Sequence, residues 1–404
     1  MRKTIVVWAL PLMVAIFAFA NVAVFAGDLE PTNPPGSTMK TLDQVEPRTP
    51  ISALPYTITS SGSYYLVSDL NSSTDGIIVN ADYVTIDLMG YSIIGSGSGS
   101  YSGVTMSGRK SVEIRNGVIR NFGSHGIYEA GTGISHRIIN IRVSGNGGSG
   151  IQIAAYNALI VKCTASDNGD IGLTLFSGSI LDSTSYNNVG DGIYTAHNSK
   201  IINCYSYQNG GHGIKGTNGV IVKDSSSCDN TDFGIYARGV ISGNYVKGND
   251  SGGISAGLES TIIKNVIKFN QGAGLVIDSN SMVSDNTVIS NVDTGIIAAG
   301  FCHITNNLVN FNNSSDTIDE AGIKVNDKSS VKNNSLSNNK KNNILVLSSG
   351  NSIEENLING SGSGENGINF DGSGNYYSNN RASGNTVNFA NTTGNIDGGA
   401  NVSF

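Results

Sequence analysis

Seven residues between positions 191 and 238 supply most of what this sequence offers for chemistry: Asp191, Tyr194, His197, His212, Lys215, Tyr236 and Arg238. Tyr194, Lys215 and Tyr236 are consecutive members of one series, each two places after the glycine of a recurring Gly-Ile-x-apolar motif. Successive side chains of an extended strand point to opposite faces, so the x residues share one outer face. Aromatic rings pack on sugar rings while their polar tips remain free to hydrogen-bond. Lysine and arginine neutralise a uronate carboxylate, and a nearby histidine or tyrosine is a general base or acid for β-elimination. The expected substrate-binding residues are therefore Tyr128, Tyr194, Lys215 and Tyr236. The expected catalytic residues are His212, Lys215, Tyr236 and Arg238, with Asp191 orienting His212. The competing reading is a solvated sheet face carrying scattered polar residues.

The elements that must position these groups are short strands. Gly-Ile-x-apolar recurs from Gly76-Ile77 to Gly367-Ile368 at intervals of 19 to 27 residues. A second motif follows each by about ten residues, as in Ile160-Val161-Lys162-Cys163 and Ile262-Ile263-Lys264-Asn265. Short β-branched runs between Gly and Asn turns are strand signals, and no segment keeps a helical period. One such repeat cannot bury its own Ile residues, but piled coils pair strand to strand and share a core. Glycine is expected to supply positive φ at the corners. Asparagine recurs in two columns, one from Asn244 through Asn265 and Asn286 to Asn356, the other from Asn168 through Asn188 and Asn209 to Asn339. Stacked amides that bond to adjacent coils explain the registered recurrence. The prediction is an all-β parallel β-helix of about fourteen coils over 76–380. Residues 51–75 are its N-terminal cap, and 381–404 are a last coil or cap. The proline-containing stretch 27–50 is an extended linker.

Residues 1–26 have the form of a secretory signal: Arg2 and Lys3, an apolar run, then Val24 and Ala26 before a cut at Gly27. The expected location is secreted or extracytoplasmic, with no membrane span after cleavage. Removal of the signal leaves a net charge of −9, against −7 for the whole chain. That balance disfavours a nucleic-acid partner, whose phosphates need a basic footprint. Cys163 and Cys204 share a coil position two coils apart, about 9.6 Å at the β-strand spacing, too far for a disulfide.

The whole Gly-Ile/Asn periodicity, over about residues 51–390, resembles the right-handed parallel β-helix proteins of the pectin-lyase-like superfamily, found among bacterial exported proteins. That resemblance implies a right-handed solenoid and a polysaccharide or cell-surface glycan partner. It spans lyases, hydrolases, epimerases, tailspikes and adhesins, so fold alone does not choose among them. A lyase-like enzyme and a non-catalytic surface adhesin or scaffold are the two functional expectations. Polygalacturonase-like hydrolases carry Asn-Thr-Asp, Asp-Asp, Gly-His-Gly and Arg-Ile-Lys in that order. Here Gly211-His212-Gly213 precedes Asn230-Thr231-Asp232, and the other two motifs are missing. The Asp-Pro-His-Asp signature of alginate epimerases is absent too. No cofactor is implied, except that Asp316, Asp319 and Glu320 offer hard oxygen ligands of the kind Ca2+ takes. Val276, Ile297 and Leu345 form an apolar row on the outer face, which the C-terminal tail or a second copy of the chain would cover.

Overall fold

The computed structural model describes residues 46–314, 319–360 and 364–404. The expected signal (1–26) and most of the expected linker (27–45) lie outside these residues. From Arg48 onward the described chain is an all-β parallel solenoid of about 16 turns, close to the expected fourteen. Each turn contributes up to three strands, and every strand pairing is parallel, one coil with the next.

Three faces run the length of the stack. The first holds the Gly-Ile-x-apolar strands, such as Ile77–Val79, Ile127–Glu129, Ile151–Ile153 and Leu173–Leu175. The second holds the next strand of each coil, such as Ala158–Val161 and Thr261–Ile263. The third holds short strands such as Thr164–Ser166 and Tyr205–Tyr207. The motif isoleucines form a single inward column: Ile127, Ile151, Ile193, Ile214, Ile235 and Ile254 have no exposed surface. Each such side chain contributes roughly 1.5–3 kcal/mol by its burial. Residues 51–75 are themselves a coil, with Tyr56–Ile58 paired to Ile77–Val79 and Tyr64 packed into the core. The tail likewise pairs as a coil, Val387–Ala390 against Asn366–Phe370.

The motif glycines play a different part from the one expected. None of them has positive φ. A Cβ at Gly192 would lie 2.0 Å from Ser206 Oγ, and one at Gly213 would lie 1.9 Å from Ser227 Oγ. Close approach between coils, not backbone sign, excludes a side chain there. Positive φ falls instead on the residue before each ladder position, for example Lys264 (59°), Asn306 (58°) and Phe269 (57°).

Both asparagine ladders form. Asn265 Nδ2 donates to Asn286 Oδ1 at 2.9 Å and to Ile241 O at 2.9 Å, while its Oδ1 accepts the Asn244 main-chain N–H at 2.9 Å. The second column also takes in Asn146 and Asn230, which bond Asn168 and Asn249. A further ladder runs through Asn351, Asn375 and Asn395. All four cysteines are buried free thiols.

The apolar outer row is interrupted. Val276 and Ile297 are half-buried, but Leu345 is only 1% exposed, enclosed between Lys324 and Asn369 in register on the adjacent coils. A side chain already withdrawn from water has no contact surface left to offer a second copy.

Candidate functional site

Three neighbouring strands carry the central cluster: Ile193–His197, Ile214–Lys223 and Phe233–Ser242. The last two extend over ten residues each, from the first face into the second, with a register shift between Gly216 and Val220. Tyr194 is in register with Lys215, and Lys215 with Tyr236. Because the flanking Ile193, Ile214 and Ile235 are buried, these three side chains form an outward row. Tyr236 is 43% exposed.

At several coils the residue before the motif glycine is polar and its side chain caps the next coil. Asp75 Oδ1 accepts the Ser102 N–H at 2.8 Å, and His125 Nδ1 accepts the Ser149 N–H at 2.9 Å. Asp191 follows this pattern: Oδ1 accepts the His212 main-chain N–H at 2.7 Å, and Oδ2 lies 3.4 Å from Lys215 Nζ. Its grip on His212 is therefore through the backbone. The imidazole meets Asp232 instead, with Nε2 3.3 Å from Oδ2, and stacks on Tyr236 with ring centroids 5.0 Å apart. Burial holds the His212 pKa below its ordinary value, while Asp232 and Asp191 pull the other way. Nδ1 is buried beside the Phe233 backbone, so neither ring nitrogen presents an open lone pair on the outer face.

Sequence reasoning passed over Asp232. It belongs to Asn230-Thr231-Asp232, and the available signal was the spacing of one coil from His212. Arg238 is held on the next coil, Nη2 2.8 Å from Glu259 Oε2 and Nε donating to Leu258 O at 3.1 Å. Tyr128 is not brought to the cluster. It lies three coils before Tyr194 and stacks on His125 at 4.6 Å.

Two hollows flank the row on the side toward the second face, and Thr217 borders both. The larger, about 490 Å³, is walled by Thr174, Phe176, Tyr194 and His197. The smaller, about 230 Å³, is walled by Tyr236, Arg238, Leu258 and Asp278. Phe176 lies edge-on to His197 at 5.3 Å and to Tyr156 at 5.1 Å. No periodic rule marks Phe176 as a wall residue, because it lies beyond its strand, where side-chain direction depends on the turn.

Of the residues expected to serve Ca2+, Asp316 lies outside the described residues. Glu320 accepts a hydrogen bond from the Thr294 hydroxyl, and burial raises its pKa. Among the described residues no three His, Cys, Asp or Glu side chains converge as a metal site.

The model of the right-handed β-helix region matches residues 67–203 and 177–314, more than half of the chain. The chain belongs to the right-handed β-helix family. No curated protein matches it. Among solved structures, this β-helix is similar to the A-module of an Azotobacter vinelandii mannuronan C-5 epimerase, at 14% identity over 85% of this chain and 91% of that one, TM-score 0.39. A periplasmic alginate epimerase is similar at 11% identity over 78% and 77%, TM-score 0.40. A tailspike protein of bacteriophage CBA120 is similar at 12% identity over 90% and 57%, TM-score 0.31. At these values the likenesses carry nothing about ligand or reaction for this β-helix.

Proposed function

We propose that this protein is an extracytoplasmic binder that holds an extended polysaccharide along its first face without cleaving it. The carrying observation is the in-register row Tyr194, Lys215 and Tyr236 beside two hollows that meet at Thr217. The row steps roughly 4.8 Å per coil, so rings and an ammonium follow one another along a line that suits a linear glycan. Two features favour binding over elimination. Each cation of the cluster is already paired with a carboxylate, Lys215 with Asp191 and Arg238 with Glu259. His212 has one nitrogen against Asp232 and the other buried. In this reading His212 is a positioning residue that seats the Tyr236 ring.

The test is electrophoresis of the purified protein through gels containing alginate, pectate or hyaluronan, with parallel assays of unsaturated product and reducing ends, with and without Ca2+. Retardation by one polymer without turnover is expected, with Lys215→Ala/Tyr236→Ala weakening it up to about tenfold. Turnover that disappears in the same double variant would replace the binder by a lyase-like enzyme. Retardation unchanged in the variant would remove the first face from the site.

A further inference from the structure

On the third face, five consecutive coils carry an aromatic and cationic patch that the first-face row does not use. Thr184–Tyr186, Tyr205–Tyr207, Ser226–Cys228, Tyr245–Lys247 and Val266–Lys268 pair in order. Their middle residues, Ser185, Ser206, Ser227, Val246 and Ile267, are fully buried, so the flanking ones point outward. Tyr207 stacks on Tyr186 at 4.9 Å and on Tyr205 at 4.7 Å, with interplanar angles of 8° and 27°. Tyr205 ends this group and is 43% exposed. Two coils on, Tyr245 carries the Lys268 ammonium 5.1 Å from its ring centre, and Phe269 beside it is 50% exposed. Between Tyr205 and Tyr245 the register position is only Ser226. Two coil steps put their backbones roughly 9.6 Å apart, and the two side chains stay within electrostatic reach of each other across Ser226, so one sugar ring can touch both.

The charges set this patch apart from the Tyr194–Lys215–Tyr236 row. Lys247 and Lys268 are in register on adjacent coils. Neither has a carboxylate partner among the described residues, whereas Lys215, Lys223, Arg238 and Lys332 all do. Asp229 lies at the corner within electrostatic reach of Tyr205, and Asp167 within reach of Tyr207. They leave the cationic end of the patch at Lys247 and Lys268, and two lysines fall short of the basic footprint that a nucleic-acid backbone needs.

We propose that the third face from Tyr186 to Lys268 is a second binding surface, separate from the first-face row, for a polysaccharide bearing carboxylates. Sugar rings pack at Tyr205 and Tyr245, and the carboxylates face Lys247 and Lys268.

The test is electrophoresis of the full chain through gels containing polygalacturonate, with dextran and polymer-free gels as references. Third-face substitutions are made in the Lys215→Ala/Tyr236→Ala background, so that the two surfaces are read separately. The background variant is expected to keep part of the polygalacturonate retardation and to lose it as salt rises. Adding Lys247→Gln/Lys268→Gln is expected to remove at least nine-tenths of what remains, and Tyr205→Ser/Tyr245→Ser to do the same. The exposed lysine pair guards against misfolding, and thermal melts check the tyrosine pair. A background variant with no retardation would overturn the third-face site, as would third-face variants retarded like their background. A background variant retarded like wild type would instead count against the first-face row alone.

Discussion

At Gly213 an added methyl would press on Ser227 Oγ at 1.9 Å and on Asn230 Nδ2 at 2.5 Å, both parts of the next coil's buried network. Gly213→Ala should therefore lower stability by about 1–3 kcal/mol, read from urea unfolding, because the core cannot open for one methyl without moving a ladder. His136 poses a different residue-scale problem. It has no exposed surface, its Nδ1 accepts the Val112 N–H at 3.2 Å, and its Nε2 is without a partner. Burial lowers its pKa to about 4. A depressed histidine favours the folded state fully above the unfolded value near 6.5 and loses that contribution as pH falls through about 4. Stability should thus decline between pH 6.5 and 4 by no more than about 3 kcal/mol from this group. His136→Asn should flatten that slope in urea titrations at several pH values. His125 and His212, also lowered by burial, act in the same direction.

At the scale of the element, the ladders decide whether the corners hold. Asn265 satisfies the Asn244 N–H and the Ile241 carbonyl, both inside the stack. Asn265→Ala leaves the Asn244 N–H unpaired and removes a bond to the Ile241 carbonyl, at about 1–3 kcal/mol for the buried orphan. A drop in the thermal midpoint well beyond that of an exposed Asn→Ala change such as Asn80→Ala would show it. The strands make the same point from the apolar side. Alternation placed Tyr194, Lys215 and Tyr236 outward, and the structure keeps them in one row. The same rule placed Leu345 outward on a strand whose outer side is closed. Alternation states which face a residue leaves from, not what lies over that face.

For the whole molecule, each coil touches mainly its neighbours, and stability is a sum of coil and interface terms. The core runs unbroken from Ile51 to Ala382 and takes in Cys163, Cys204 and Cys302, while Cys228 lies on the outward side of its third-face strand and is covered there. Burial pushes Cys163 and Cys204 up to about 12 and Cys228 to about 11. A disulfide exchange reagent at pH 8 should label none of the four cysteines in the native protein and all four in denaturant, counted by mass. Rapid native labelling of Cys163 or Cys204 would mean that the stack opens there.

The sequence by itself determined the solenoid, its approximate number of coils, the ladders and the outward row, because each repeats with the coil. Periodicity converts directly into register when every coil meets the same neighbours. Only the tertiary structure decided what the non-repeating residues do. It turned Asp191 to the His212 backbone and Lys215, gave the imidazole to Asp232, tied Arg238 to Glu259 and built a hollow from Phe176. These choices depend on side chains one coil away, 20 or so residues distant in sequence, and on turns whose path no periodic rule describes. The third-face tyrosines belong to the same class. Tyr186, Tyr205, Tyr207 and Tyr245 look scattered along the chain and become one patch only when the coils are stacked.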